Sequence, residues 1–156
     1  MTPARTLRLA ALIGIVTAVD LLTKLWASTA LEQSRINLPG MIDLQLSHNS
    51  GVAFGALQGA PSGVIVGITT LVAAGIIAAG VHGVAPLVPA GLVAGGAVGN
   101  ILDRLEGGSV IDMFHTSFWP TFNLADVFLS VGVGLWLVDV LRIERSGTVQ
   151  PSEVTS

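Results

Sequence analysis

Four long apolar stretches constrain the fold of this 156-residue chain more than any other feature. They run from about Leu7 to Trp26, Ser62 to Val81, Pro86 to Leu102 and Leu124 to Leu141. Each approaches the ~20 residues that an α-helix needs to cross a ~30 Å hydrocarbon core, and the third is the shortest. Charged residues make up only 11% of the chain, less than half of the ~25% that is typical of soluble domains. The sequence therefore predicts an all-α membrane protein with four transmembrane helices.

The basic residues predict how these helices are oriented. Four of the seven Lys and Arg residues flank spans one and four, so both termini are predicted to be cytoplasmic: Arg5, Arg8, Arg142 and Arg145. Asp20 and Lys24 interrupt the first stretch, which favours a retained span over a cleaved signal peptide. We expect residues 1–145 to form a single four-helix domain. Residues 146–156, polar and rich in Ser and Thr, are predicted to be a disordered cytoplasmic tail.

The long connection between the first two spans carries a strand pattern. From Met41 to Leu46 apolar and polar residues alternate, which predicts a short strand. Residues 49–51 (Asn-Ser-Gly) then predict a turn, and Val52 to Phe54 a returning strand. We expect a small extracytoplasmic β element here, lying on the membrane surface. An amphipathic loop that rests on lipid headgroups fits the pattern equally well.

Polar side chains gather on the predicted outer side, several of them inside spans or at their edges. They are Asp20, Lys24, His48, Asn49, Asn100, Asp103, Arg104, Asp112, Asn123 and Asp126. Ionisable groups near a bilayer are costly, so such a cluster indicates a functional site. Asp112 and Asp126 flank the last connection, and a pair of carboxyl groups is the simplest equipment for activating water against an amide.

Some members of this cluster also have a structural interpretation. Asp20 and Lys24 lie four residues apart with the acid first, which predicts an ion pair near the membrane interface without a catalytic role. Asn100, Asp103 and Arg104 fit equally well as an interfacial helix end whose charges reach towards water.

Other patterns in the chain predict packing or exclude a class of partner. Glycines recur every four residues in span three, which predicts close helix packing: Gly91, Gly95 and Gly99. The chain has no Cys, and His115 lacks a second ligand at metal-binding spacing, so we expect no metal. A net charge of −3, scattered along the chain, argues against nucleic-acid binding.

Five sequence blocks resemble, in order, those of the lipoprotein signal peptidases (signal peptidase II). They are Asp20 with Thr23-Lys24, residues 49–54 (NSGVAF), residues 95–104 (GGAVGNILDR), residues 110–112 (VID) and residues 122–126 (FNLAD). The combination of GGAxGNxxDR with FNxAD is highly specific to that family. Two features depart from its pattern. Asp126 follows Asp112 by only 14 positions, and Met113 stands where Phe is usual.

The resemblance implies an inner-membrane aspartic endopeptidase. Such an enzyme removes the signal peptide of diacylglyceryl-modified prolipoproteins just before the lipobox cysteine, and it needs no cofactor. It also implies contact with membrane lipid, and we expect a monomer. By position, Asp112 and Asp126 match the catalytic pair. Residues that match the substrate-binding and supporting positions are Asn49, Asn100, Asp103, Arg104 and Asn123, with Asp20, Lys24 and Phe54 as further possible support.

The positions of the two acids predict unequal roles. Asp126 lies three residues after Asn123, which can cap the fourth span, so the helix dipole favours a negative charge on Asp126. Asp112 has no such support. We therefore predict that Asp126 carries more of the negative charge and Asp112 more of the proton. Phe54 is predicted to close over the substrate as a lid or, equally, to anchor the loop at the interface.

Two other classes of protein fit four short spans. A small ion- or proton-coupled transporter is one alternative, although transporters place their coupling acids near the bilayer midplane and here the acids lie at span ends. A non-catalytic assembly factor that uses the glycine face is the other.

Overall fold

The computed structural model describes residues 2–51 and 60–147. It contains helices α1 (Pro3–Ala30), α2 (Ser62–His82), α3 (Leu87–Gly107) and α4 (Leu124–Gly147), with strands β1 (Ile36–Asn37), β2 (Asp43–Asn49) and β3 (Val110–His115). The prediction of a mostly helical protein with a small β element is confirmed. Three of the helices, α1, α2 and α4, are long and apolar enough to cross a membrane.

Helix α3 lies at the centre and packs against the three other helices. Its glycines make these approaches possible, because a Cβ at Gly91 or Gly95 would overlap side chains of α1. Gly96 faces the opposite way, towards the backbone of Ala125 in α4. More than half of α3 is buried, whereas α1, α2 and α4 present large apolar side chains outward. The predicted packing role of the glycine row is confirmed, and the outward apolar faces are those expected of a bundle in lipid.

The three strands form one antiparallel sheet in the order β1-β2-β3. Strand β2 begins two residues later than predicted and continues to Asn49, so the amphipathic-loop alternative is wrong. Strand β2 lies between β1 and β3. Strand β3 comes from the connection between α3 and α4, and Ser47 on β2 lies opposite Asp112 on β3. The β element therefore does not come from the first connection alone. The predicted strand from Val52 to Phe54 lies outside the described residues.

The connection from β3 to α4 is compact, which accommodates the short separation of the two aspartates. Phe114 and Phe122 form an antiparallel bridge, with hydrogen bonds of 2.9 and 3.1 Å between their backbone groups. Their rings also stack, with centroids 5.2 Å apart. The seven residues between these two positions thus form a loop that returns the chain to the start of α4.

Candidate active site

Asn123 connects the two predicted catalytic carboxyl groups. Its side-chain amide Nδ2 donates to Oδ1 of Asp112 at 2.8 Å, and its backbone N–H donates to Oδ2 of Asp126 at 3.1 Å. Asp112 lies in β3 and is fully buried, while Asp126 lies in the first turn of α4. The sheet and the helix start therefore bring both carboxyl groups to one asparagine.

The start of α4 is fixed by a reciprocal pair of hydrogen bonds. Oδ1 of Asn123 accepts the backbone N–H of Asp126 at 3.0 Å, while Asp126 accepts the backbone N–H of Asn123. This arrangement is a capping box, in which two side chains satisfy backbone donors that the helix leaves free. The predicted capping role of Asn123 is confirmed. The same bonds hold the carboxyl group of Asp126 in one orientation.

Asn100, on α3, links Lys24 to Asn123 and Asp126. Its Oδ1 accepts from Nζ of Lys24 at 2.9 Å and from Nδ2 of Asn123 at 3.1 Å. Its Nδ2 donates to Oδ1 of Asp126 at 3.0 Å. Both oxygens of Asp126 thus accept hydrogen bonds.

Lys24 lies at the centre of a buried ion cluster. Its Nζ is 2.7 Å from Oδ2 of Asp20 and 2.9 Å from Oδ2 of Asp103, and all three side chains are almost inaccessible to solvent. The predicted pairing of Asp20 with Lys24 is confirmed. The pair lies inside the bundle because α3 covers it.

The two acids of this cluster also bind backbone groups of the elements that carry the candidate dyad. Oδ1 of Asp20 accepts the N–H of Ala125 at 2.8 Å, directly before Asp126. Oδ2 of Asp103 accepts the N–H of Ile111 at 3.0 Å, directly before Asp112. The cluster therefore fixes β3 and α4 next to the residues that carry the candidate dyad.

Arg104 is buried, so the prediction that the charges of this helix end reach towards water is wrong. Its guanidinium group donates to the carbonyl oxygen of Gly51 at 2.7 Å and to that of Asn100 at 3.2 Å. Its Nε has no hydrogen-bond partner among the described residues. Arg104 thus ties the turn after β2 to α3.

Asn49, at the end of β2, contacts the carboxyl group of Asp112. Its Nδ2 donates to Oδ2 of Asp112 at 3.1 Å, and its Oδ1 accepts the N–H of Gly51 at 2.9 Å. The hydroxyl group of Thr121 lies 3.5 Å from the same Oδ2. Thr121 was missed in the sequence, where its only signal is a hydroxyl group placed between the two aspartates. Phe54 lies outside the described residues.

Burial raises the pKa of Asp112 to about 6, from a model-peptide value of 3.8. Loss of solvation is the largest cause, and the nearby carboxylate of Asp126 adds to it. Hydrogen bonds from Asn49 and Asn123 act in the opposite direction. Asp112 is thus a carboxyl group that holds its proton to a higher pH than an exposed aspartate does.

Both aspartates line a cavity of about 700 Å³. Its helical walls are largely apolar and include Ile68 and Val72 from α2, Val93 and Ala97 from α3, and Leu129 from α4. Its other end carries Asp112, Asp126, Asn49, Asn100, Arg104 and the segment Trp119–Phe122. An apolar cleft with a few convergent polar groups is the usual form of a ligand site. This one can hold an apolar segment next to a pair of carboxyl groups.

A family model described as signal peptidase (SPase) II matches residues 12–142 of the chain. A lipoprotein signal peptidase of Symbiobacterium thermophilum is 38% identical over 144 residues, which cover 86% of this chain and 94% of the relative. One of Moorella thermoacetica is 39% identical over 126 residues, covering 76% and 83%.

Solved structures give the same fold. A bacterial membrane enzyme determined by the in meso method superposes with a TM-score of 0.81 at 23% identity, covering 93% of this chain and 94% of the other. A second, at 25% identity, has a TM-score of 0.74 and covers 85% and 92%.

Proposed function

The chain belongs to the signal peptidase II family, and from that premise we propose that Asp112 and Asp126 cleave the signal peptide of diacylglyceryl-modified prolipoproteins. Family membership makes the chain a multi-pass membrane protease that processes prolipoproteins. The proposed cut lies just before the lipid-modified cysteine. The transporter alternative has no support, because the matched family and the relatives described above are peptidases.

One observation carries the assignment of the catalytic pair. Two carboxyl groups from different elements converge on Asn123 in a cavity whose helical walls are largely apolar. A signal peptide is an apolar segment, so the helical walls suit it, and the acids lie where its polar end would emerge.

The proposed chemistry needs one ionised and one protonated carboxyl group. Asp126 takes a proton from water, whose oxygen attacks the scissile carbonyl carbon, while the proton of Asp112 polarises the carbonyl oxygen. The tetrahedral intermediate then collapses and the C–N bond breaks. The proton that Asp126 took from water passes to the leaving amine, which restores the ionised Asp126 and leaves Asp112 protonated. The products are a signal peptide with a new carboxyl terminus and a protein with a free amino terminus. No covalent intermediate forms.

The surrounding polar groups have separate proposed roles. Arg104 and Asn49 hold the substrate backbone, supported by the position of both side chains on the cavity wall. Asn100 and Asn123 orient the two carboxyl groups, as their hydrogen bonds to them support.

The proposed topology has four spans, with α3 as the third and both termini cytoplasmic. The site then lies near the outer face, within one domain of residues 1–145. Since all the groups of the site come from one chain, a monomer suffices.

Accessibility to a membrane-impermeant maleimide tests this topology, because the chain has no native Cys. Ser34→Cys should be labelled in intact cells, and Thr2→Cys only after permeabilisation. The reverse pattern would refute the orientation.

Cleavage of a diacylglyceryl-modified prolipoprotein by the purified full-length protein tests the catalytic assignment. Asp112→Asn and Asp126→Asn should each lower kcat by about 10²–10⁴-fold, the usual contribution of a general acid or base. Asp43→Asn is the matched control, since Asp43 pairs with Arg35 at the sheet surface. Full activity in either dyad variant, with unchanged thermal unfolding, would refute the assignment.

A further inference from the structure

A second, shallower groove of about 480 Å³ adjoins the catalytic cavity. Its lining is almost entirely apolar and consists of Met41, Ile42, Thr116, Phe118, Trp119 and Phe122. Trp119 and Phe122 line both spaces, so they form a shared wall. Among residues 2–51 and 60–147, no charged side chain lines the groove.

The segment that forms this groove is held in place by specific hydrogen bonds. Oγ1 of Thr116 accepts the N–H of Trp119 at 3.0 Å and donates to its carbonyl oxygen at 3.1 Å. The bridge and ring stack between Phe114 and Phe122 close the base of the same loop. As a result Phe118 and Trp119 remain 65% and 50% exposed. A fixed, exposed apolar patch marks an interaction site.

We propose that this groove binds a hydrocarbon chain of the diacylglyceryl group on the substrate cysteine. The inference rests on the proposed function. In that function the signal peptide occupies the part of the cavity lined by α2, α3 and α4, and the modified cysteine follows directly after the scissile bond. The cysteine then lies past the two aspartates, where Trp119 forms the boundary with the groove.

The chemistry of the lining selects an alkyl chain over a peptide. A peptide would bring backbone donors and acceptors that need partners, and the groove has few polar atoms to offer them. An alkyl chain has no such requirement. Each methylene that it buries strengthens binding about fourfold. The groove thereby gives the enzyme a means to prefer lipid-modified precursors over unmodified ones.

The first experiment varies the acyl chain and the groove together. The probes are synthetic lipopeptides that span the cleavage site, with two palmitoyl or two butyryl chains on the glyceryl group. Phe118→Ser and Met41→Ser should raise KM for the palmitoyl probe about tenfold, equivalent to losing about two buried methylenes. They should leave kcat and the KM for the butyryl probe unchanged. Phe118→Leu should restore most of the affinity.

Leu105→Ser is the matched control. Leu105 is also a large exposed side chain, at 66%, but it lies on α3 outside the groove. Its KM values should equal those of the wild type for both probes. An equal KM effect of Phe118→Ser on both chain lengths, or no effect on either, would overturn the proposal.

The second experiment measures binding by a signal that does not depend on cleavage. In a Trp26→Phe/Trp136→Phe background, Trp119 is the remaining tryptophan. A lipopeptide with brominated acyl chains should quench its fluorescence. If brominated phospholipid quenches Trp119 fully and the lipopeptide adds nothing, the groove contacts bilayer lipid and the proposal is wrong. Quenching by the lipopeptide without any cleavage would refute the proposed function and leave the binding site standing.

Discussion

Nζ of Lys24 lies 2.9 Å from Oδ1 of Asn100, and this contact fixes which end of the asparagine amide faces the candidate dyad. An ammonium group can only donate, so the amide oxygen must face Lys24. The amide nitrogen then faces Asp126, to which it donates at 3.0 Å. Lys24 touches neither acid of the candidate dyad. By orienting Asn100, it nevertheless determines that Asp126 receives a hydrogen bond from the amide nitrogen.

We expect Lys24→Met to lower the free energy of unfolding by about 3–5 kcal/mol, because it leaves Asp20 and Asp103 as buried charges without their partner. Arg35→Met is the matched control. It breaks an ion pair whose side chains are 47% and 26% exposed, so it should cost no more than about 1 kcal/mol. Denaturant unfolding in detergent measures both, and equal losses would contradict the structural role of the cluster.

Replacing Asn100 with Asp tests the orientation argument. The side chain keeps an oxygen towards Lys24 but places a second oxygen, instead of a donor, against Asp126. We expect kcat to fall about 10–100-fold, the value of one hydrogen bond to a charged group, with KM little changed. Asn37→Asp, on exposed strand β1, should leave kcat unchanged. A fall in kcat of the same size there would show that added charge alone accounts for the effect.

Gly96→Ala tests whether helix packing positions Asp126. A Cβ at Gly96 would lie 2.6 Å from the carbonyl oxygen of Ala125, and a backbone atom cannot move aside as a side chain can. We expect about 1–3 kcal/mol of destabilisation, together with a loss of kcat because the start of α4 must shift.

Gly75→Ala in α2 is the control for this substitution, since no atom lies within 4 Å of its added Cβ. Here alanine should be neutral or stabilising. Thermal unfolding and single-turnover cleavage measure the two effects separately. A Gly96→Ala variant with wild-type activity would show that the close approach is not needed for catalysis.

The raised pKa of Asp112 predicts a pH dependence. If the protonated form polarises the carbonyl, kcat/KM falls as the pH rises through about 6. Asn49→Ala removes a donor that lowers this pKa, so the falling limb of kcat/KM should move to higher pH. Asn37→Ala should leave the profile in place. If the falling limb of kcat/KM moves to lower pH in Asn49→Ala, the assignment of the proton to Asp112 is refuted.

Strand β3 was not predicted, although its residues favour a strand. Residues 110–115 read Val-Ile-Asp-Met-Phe-His, a run of β-branched and aromatic residues around Asp112. Such a run favours a strand. Its partner, β2, lies more than 60 positions earlier in the chain, and no local pattern links the two.

The sequence by itself determined the helical membrane class, the positions of the four helices, the capping of α4 by Asn123 and the two acids that flank the last connection. These follow from local properties, namely apolar length, capping chemistry and the cost of charge near lipid. Only the tertiary structure decided that Lys24, Asp20 and Asp103 form a buried cluster next to the candidate site. The bond from Ala125 to Asp20 joins residues 105 positions apart. Such a contact depends on how closely the glycines of α3 let α1 and α4 approach, which is a property of packed surfaces and is not encoded in any single segment.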